Sequence, residues 1–301
     1  MQKIRTAVIG GDTRLACMVP CLAKEGCRVI CYGTEPISEK SGISYCFAGS
    51  LKEALAEAEA VICGIPFAKG IEVYHGSVLP DMEIAGFCEC LKEGQMLFGG
   101  VIPETVRRSC RKKQVRYYDF MEDEPLAIFN AVATAEGCVL TALKEQPTNL
   151  HRSRCLVLGY GKCGRVLADK LKGLSADVTI CARKEGALAL AEAAGMKKLP
   201  FGEMPEQIRA FEYIFNTVPS TVLTEKVLKK VRKDALIVDI ASGKGGVDYA
   251  VAKRCGVRAL LCPGLPGKYA PKASAEGMSD FVLRTLASGS KTFDPGIIER
   301  F

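Results

Sequence analysis

Gly159-x-Gly161-x-x-Gly164 is the feature that most limits what this chain can become. It follows a short apolar run, Cys155-Leu-Val-Leu158, and precedes a helical pattern from Arg165 to Lys172. Strand, glycine turn and helix in that order form a dinucleotide fingerprint in its working context. Each glycine has its own task. Gly159 permits the tight turn, Gly161 lets backbone approach a pyrophosphate, and Gly164 lets the helix pack against the strand. The helix N-terminus offers unpaired N–H groups and a partial positive charge to phosphate. Gly159, Tyr160, Gly161, Lys162, Cys163 and Gly164 are therefore the expected dinucleotide contacts.

The next strand signal, Val178-Thr-Ile-Cys181, runs into Ala182-Arg183-Lys184. An NAD site places Asp or Glu near this point to bind the ribose 2′-hydroxyl. Arg183 and Lys184 offer positive charge to a 2′-phosphate instead, and Glu185 comes one or two places late. The pattern favours NADP, with NAD as the alternative. Asn216-Thr217-Val218-Pro219-Ser220 and Asp239-Ile-Ala241-Ser242-Gly243 follow later strand signals. At sheet C-termini such segments wall the nicotinamide end of a cleft, which makes Asn216, Thr217, Val218 and Pro219 cofactor candidates. Ordinary turns carry the same residues.

The chain has 301 residues, enough for two domains at roughly 100–200 residues each. Strand patterns alternate with helical ones throughout, starting at Thr6-Ala-Val-Ile-Gly10 and Cys27 to Gly33. Ser50-Leu-Lys-Glu53 reads as a capping box. Further strands are expected at 60–64, 96–99 and 115–120, with helices over 81–91 and from Pro103 at its first position. Glu124 to Lys144 is a long helical pattern. Strands then recur at about 155–159, 178–182, 213–217, 235–240 and 258–262, and a last helix begins at Pro271. The expected fold is α/β: two doubly wound, parallel-sheet, Rossmann-like domains with a cleft. The expected division is 1–124 for the first domain, 125–148 for a bridging helix and 149–266 for the nucleotide domain. Residues 267–301 would form a C-terminal helix returning to the first domain.

Composition excludes several classes. No uninterrupted apolar stretch reaches the ~18–20 residues of a membrane span, and the N-terminus runs directly into a strand, unlike a signal peptide. There are fifteen cysteines, an odd count, and many lie in apolar strand runs, including Cys31, Cys63, Cys155, Cys181 and Cys262. They read as small core residues kept reduced in a cytoplasm. Cys88-x-Cys90 lacks a second pair at zinc spacing, and the two histidines, His75 and His151, are far apart in sequence, so no metal site is expected. The net charge of +7 is dispersed. The run Arg107-Arg108-Ser-Cys-Arg111-Lys112-Lys113 lies on a helical pattern and reads as a solvated face, not a nucleic-acid surface.

The first βα turn, Gly10-Gly11-Asp12-Thr13-Arg14, lacks a third glycine at the standard spacing. Its amides and Arg14 suit a carboxylate at a helix N-terminus. A plainer reading makes Asp12 the helix cap and Arg14 a first-turn residue. Thr134-Ala135-Glu136-Gly137 puts a glycine inside the long helix, at a cost of about 1 kcal/mol against alanine. Close approach of a ligand or another helix accounts for it. The segment Cys262 to Lys272, with two Pro-Gly-type pairs, reads as a stiff loop.

A further set of stretches carries a resemblance. They are Ala7-Val-Ile-Gly-Gly-Asp12 with Arg14, Thr134-x-Glu136-Gly137, Val157-Leu-Gly-x-Gly161 with Gly164-Arg165, and Val178 to Arg183. To these add Asn216-Thr217-x-Pro219-Ser220, Asp239-x-Ala241-Ser242-x-x-Gly245-Gly246 and Pro263-Gly-Leu-Pro-Gly267-x-x-Ala270-Pro271-Lys272. Together they resemble the family of dipicolinate synthase A subunits over nearly the whole chain. The resemblance implies a spore-formation enzyme of the mother-cell cytoplasm on a branch of the lysine pathway. It would oxidise a dihydrodipicolinate-type intermediate to dipicolinate (pyridine-2,6-dicarboxylate) with NAD(P), alongside the flavoprotein-like B subunit of dipicolinate synthase. Two departures stand out: Ala133 where the family has proline, and Ser242-Gly243-Lys244 where it has an Arg-Pro pair.

A dicarboxylate substrate calls for cationic anchors, and Arg14, Lys244 and Lys272 are the candidates, with Thr134 beside them. Asp12, Glu136 and Lys272 are the candidate bases. A homo-oligomer is compatible with this reading, and neither nucleic acid nor membrane is an expected partner. Two alternatives stay open: a two-domain NADP-dependent dehydrogenase of the shikimate or methylene-tetrahydrofolate dehydrogenase type, and a cofactor-binding subunit inactive without its B partner.

Overall fold

The computed structural model describes residues 4–37, 44–76 and 79–288. Residues 1–3 ahead of the first strand, and 289–301 of the expected C-terminal segment, lie outside the described residues. The chain divides into two compact units, 1–127 with 270–301, and 128–269.

The first unit starts with β1 (Arg5–Ile9), α1 (Thr13–Lys24), β2 (Arg28–Tyr32), β3 (Tyr45–Phe47), α2 (Leu51–Ala56) and β4 (Ala60–Cys63). A small hairpin follows, β5 (Ala68–Lys69) and β6 (Glu72–Val73), then α3 (Ile84–Cys90), β7 (Met96–Gly99), α4 (Glu104–Lys112) and β8 (Arg116–Asp119). The sheet order is β3-β2-β1-β4-β7-β8, with every pair parallel. Because side chains alternate along a strand, β1 feeds two cores. Val8 joins Leu15, Met18, Leu22 and Phe98 on one face, where Met278 and Val282 of the C-terminal helix Pro271–Ser288 also pack. Ala7 and Ile9 join Leu55, Phe67, Phe87 and Val106 on the other.

The long helix α5 (Glu124–Glu145) carries the boundary between the units. It is long and apolar enough to cross a membrane, with mean hydropathy 1.7 over its apolar stretch, 56% of which is buried. Three charged residues at its ends and Glu136 within hide that character from a search for unbroken apolar runs. Ala135, Cys138 and Ala142 place it in the core of the second unit.

That unit contains β9 (Arg154–Leu158), α6 (Lys162–Gly173), β10 (Asp177–Ala182), α7 (Glu185–Ala193), β11 (Lys197–Pro200) and α8 (Met204–Gln207). It continues with β12 (Tyr213–Asn216), α9 (Glu225–Leu228), β13 (Leu236–Asp239), α10 (Tyr249–Arg254), β14 (Arg258–Leu261) and α11 (Leu265–Tyr269); the C-terminal helix is α12. The sheet is parallel, in the order β11-β10-β9-β12-β13-β14. Both units are thus doubly wound in the same order, with a switch point where the direction of strand addition reverses, beside β1 and β9 respectively.

Several elements depart from the sequence expectations. The helix expected over 81–91 is confined to Ile84–Cys90, because Met82 and Glu83 serve the hairpin: Val73 N–H donates to Met82 O at 2.8 Å and Ile84 N–H to Ile71 O at 2.9 Å. Pro103 is the cap residue of α4, not its first helical residue. Ser50 does cap α2, accepting from Glu53 N at 3.2 Å, while Glu53 Oε2 accepts from Gly49 N at 2.7 Å. The sequence pattern carries that helix to about Glu59, but it ends at Ala56. The stiff loop 262–272 contains α11. Cys262 lies just past β14 and is half-buried, whereas Cys31, Cys63, Cys155 and Cys181 are fully buried.

Candidate functional site

The fingerprint turn of the second unit is built as its glycines require. Gly159 takes φ +91°, in the left-handed region that glycine alone adopts cheaply, and a Cβ there would lie 2.5 Å from Thr217 Oγ1. A Cβ on Gly164 would overlap the Gly159 carbonyl oxygen, so only glycine lets α6 approach β9 this closely. Gly161 differs: a Cβ there would meet nothing within 4 Å, so its requirement comes from space the protein leaves open. Gly161 caps α6 without a side-chain hydrogen bond, and the first helical bond runs from Arg165 N to Gly161 O at 2.9 Å. The amides of Lys162, Cys163 and Gly164 precede that bond and have no acceptor in the helix. They point where a phosphate can be received.

Neighbouring residues fix the turn. Gly159 N–H donates to Cys181 O at 2.9 Å, tying the turn to the end of β10. Thr217 Oγ1 donates to Leu158 O at 2.9 Å. Arg165 Nε donates to Tyr160 O at 3.1 Å, and its guanidinium lies 5.5 Å from the Tyr160 ring centroid. Tyr160 also packs against the unit's core. Two residues past Cys181, Arg183 and Lys184 are exposed, and neither forms an ion pair among the described residues. Many other cations of this unit are matched to carboxylates, among them Lys170 to Glu136, Lys197 to Asp177 and Lys198 to Glu192.

Asn216 and Asp239 end adjacent strands and are fully buried. Asn216 Nδ2 donates to Asp239 Oδ1 at 2.8 Å and to Val218 O at 3.0 Å, while its Oδ1 accepts from Val218 N at 3.1 Å. Burial and the neighbouring Asp239 push the Tyr249 phenol well above its usual value. Asn216 therefore shapes the loop after β12, and its side chain is committed inside the protein. In that loop Thr217 and Val218 are half-buried and Pro219 is exposed.

The turn after β1 in the first unit is bonded differently. Gly10 and Gly11 take φ +57° and +81°. Gly10 N–H donates to Tyr32 O at 2.8 Å and Gly11 N–H to Tyr74 O at 2.6 Å, so the hairpin segment occupies this turn. Asp12 caps α1, accepting from Arg14 N at 3.0 Å. The same carboxylate grips the Arg14 side chain, Nε to Oδ1 at 2.9 Å and Nη2 to Oδ2 at 2.7 Å. Arg14 Nη2 also donates to Ile65 O, and the residue is only 4% exposed. Cap and anchor are alternatives in the sequence; the structure combines the cap with an internal ion pair. Asp12 and Arg14 satisfy each other, and neither presents an uncommitted charge.

Thr134 Oγ1 donates to Asn130 O at 2.9 Å, and Glu136 is exposed and paired with Lys170 at 2.8 Å. The helix glycine Gly137 has a plain cause: a Cβ would lie 2.8 Å from the Tyr269 ring and 3.0 Å from Leu265 Cβ, so α11 is the close neighbour. Lys244 is exposed on the turn after β13, and Lys272 is exposed in the first turn of α12. Tyr74, Tyr249 and Arg165 escaped sequence reasoning. A carbonyl contact has no residue signature, and Tyr249 lies ten positions beyond the carboxylate it serves.

Residues 5–121 match the family described as the N-terminal domain of the dipicolinate synthase A subunit, and residues 126–254 match the D-isomer specific 2-hydroxyacid dehydrogenase, NAD binding domain. The A subunit of dipicolinate synthase from Bacillus subtilis (strain 168) is 27% identical over 300 residues, covering 94% of this chain and 96% of that protein. The crystal structure of the corresponding A subunit from Bacillus halodurans has a TM-score of 0.84 at 25% identity, covering 94% and 98% of the two chains. A transhydrogenase from Sinorhizobium meliloti shares the fold, with a TM-score of 0.70 at 14% identity over 96% and 94%. The chain is thus similar to the A subunit of dipicolinate synthase over nearly its whole length, and most of its second unit is similar to the NAD binding domain of D-isomer specific 2-hydroxyacid dehydrogenases.

Proposed function

We propose that this chain is an oxidoreductase like the dipicolinate synthase A subunits, and that it converts a dihydrodipicolinate-type diacid to dipicolinate with a nicotinamide dinucleotide, NADP in preference to NAD. The observation that carries the reading is the fingerprint turn. Its one glycine without a structural reason, Gly161, faces open space beside three uncommitted amides, in a chain similar to those proteins over nearly its whole length.

The amides of Lys162, Cys163 and Gly164 receive the pyrophosphate, as the N-terminus of α6 favours. Lys162 adds a cation at the same helix turn. Arg183 and Lys184 receive the 2′-phosphate, the Arg side chain being suited to two-pronged contact with phosphate oxygens. When bound, the nicotinamide supplies the hydride acceptor. Thr217, Val218 and Pro219 line the approach to that ring, with Asn216 holding their loop.

Lys244 is the proposed carboxylate anchor of the second unit. Lys244 takes the part of the arginine in the family's Arg-Pro pair, which trades a two-pronged contact for a single charge. Asp12 and Glu136 are each engaged in an ion pair, with Arg14 and Lys170 respectively. Ring-proton loss is then driven by the aromaticity of the product, and alignment is the main demand on the protein. Arg14 with Asp12 fixes the β1 turn instead of gripping the diacid.

The designation of its relative as one subunit of a synthase supports a second component in the complete enzyme, and a cytoplasmic mother cell is the setting it suggests. Purified chain, a dihydrodipicolinate-generating system and NADP+ test the reading. Appearance of dipicolinate with matching NADPH supports it. Turnover that requires an added B subunit assigns part of the chemistry to the partner, and no turnover under either condition contradicts it.

A further inference from the structure

The C-terminal edge of the second sheet holds a carboxylate that the proposed chemistry does not use. Asp239 ends β13 and is fully buried. Its Oδ1 accepts from Asn216 Nδ2 at 2.8 Å and Ala241 N at 3.0 Å. Its Oδ2 accepts from Gly246 N at 2.7 Å and Tyr249 Oη at 2.8 Å. A carboxylate offers about four acceptor sites, so its capacity is filled.

Those donors come from both loops at this edge. Asn216 controls the loop after β12 through Val218, and Gly246 O accepts from Val222 N and Leu223 N, both at 3.0 Å. Residues 217–223 and 240–248 are therefore joined into one piece. The fit is tight. A Cβ on Gly245 would overlap Asp239 Oδ2, and one on Gly246 would overlap Asn216 Nδ2. Within residues 240–248 the exposed ones are Ser242, Gly243 and Lys244, on a turn with Gly243 at φ +69° and Gly245 at φ +76°.

Joining two loops through a buried charge is a poor choice for stability alone. Burying a carboxylate costs several kcal/mol before its partners compensate, and apolar packing of similar volume often serves as well. Directional bonds do what apolar packing cannot: they fix the register of a loop against a sheet edge.

We propose that Asp239 is a positioning residue, fixing the base of the Ser242–Lys244 turn so that the Lys244 ammonium meets a substrate carboxylate at a set place. The inference rests on the reading of Lys244 as a carboxylate anchor. A double-mutant cycle tests both and tells them apart, with dipicolinate titrated calorimetrically into the NADP+-loaded chain. Asp239→Asn exchanges one acceptor for a donor facing other donors. It weakens dipicolinate binding about tenfold or more and NADP+ binding by a clearly smaller factor, since the phosphate contacts lie on the α6 turn, away from this hub. Lys244→Met weakens dipicolinate binding to a similar degree, and the double variant binds no more weakly than Lys244→Met alone.

Multiplying effects overturn the positioning role, and so does equal loss of NADP+ and dipicolinate binding in Asp239→Asn. If Lys244→Met weakens binding and Asp239→Asn does not, positioning fails and the anchor stands. If Lys244→Met has no effect, the anchor reading fails and the positioning role falls with it. Should Asp239→Asn not fold, Gly245→Ala displaces the same loop with the carboxylate retained, and the same selective loss of dipicolinate is expected.

Discussion

The Gly11 N–H donates to the Tyr74 carbonyl at 2.6 Å, and this one bond separates the fates of two sheets with the same strand order. In the second unit Gly159 N–H is bonded to Cys181 O, as Gly10 N–H is to Tyr32 O, but the amides of Lys162, Cys163 and Gly164 are uncommitted. In the first, the segment that carries the hairpin takes the place an anion would need. The Asp12–Arg14 pair then closes the electrostatics of the turn. The expected consequence is a stoichiometry of one dinucleotide per chain, measured by calorimetric titration. Two equivalent sites would contradict it.

Gly161 and Gly164 should respond oppositely to alanine. Gly161→Ala adds a methyl to open space at φ −83°, so folding stability changes by no more than about 0.5 kcal/mol, while dinucleotide affinity is lost. Gly164→Ala forces a methyl against the Gly159 carbonyl and is expected to cost about 1–3 kcal/mol or more through displaced backbone. Urea denaturation and nucleotide titration of both variants check the contrast.

Removing Arg183 tests cofactor choice. A charge-assisted hydrogen bond to phosphate is worth about 1.5–3 kcal/mol, or roughly 10- to 100-fold in affinity. Arg183→Ala should therefore raise the Kd for NADP+ by that factor and leave NAD+ within about twofold. Equal losses for both would place Arg183 outside the 2′-phosphate contact.

Much of this was legible in the amino-acid order. Strand Ala60–Cys63 and residues 156–158 of β9 are buried on both faces and read as unbroken apolar runs. Two of the four edge strands escaped for the converse reason. Lys197–Pro200 opens with two exposed lysines, and Tyr45–Phe47 has only three residues, as suits sheet edges that must not pair further. The fingerprint glycines were readable because each follows from local sterics. The Arg14 ion pair and the Asp239 hub were not, since both depend on which distant backbone the fold brings to a charged side chain.

Buried thiols set an alkaline limit on stability. Burial pushes the Cys31, Cys110, Cys155 and Cys181 thiols up to about 12 from an ordinary 9.0. The folded chain then holds protons that the unfolded chain releases above about pH 9. Stability is fully present below that pH and falls between about 9 and 12, by about 1.4 kcal/mol per pH unit for each thiol. Denaturation midpoints should drop steeply across this window, and Cys181→Ala should flatten the drop. A midpoint constant from pH 8 to 11 would contradict the assignment.

The central claim is that a nicotinamide dinucleotide docks on the amides of residues 162–164. Isothermal titration of NADP+ and NAD+ into the purified chain, paired with Gly161→Ala, tests it most directly. Saturable binding at one site is predicted, tighter for NADP+, and abolished by that single methyl in a chain that remains folded. Absence of heat with both dinucleotides, or unchanged affinity in Gly161→Ala, would contradict the claim.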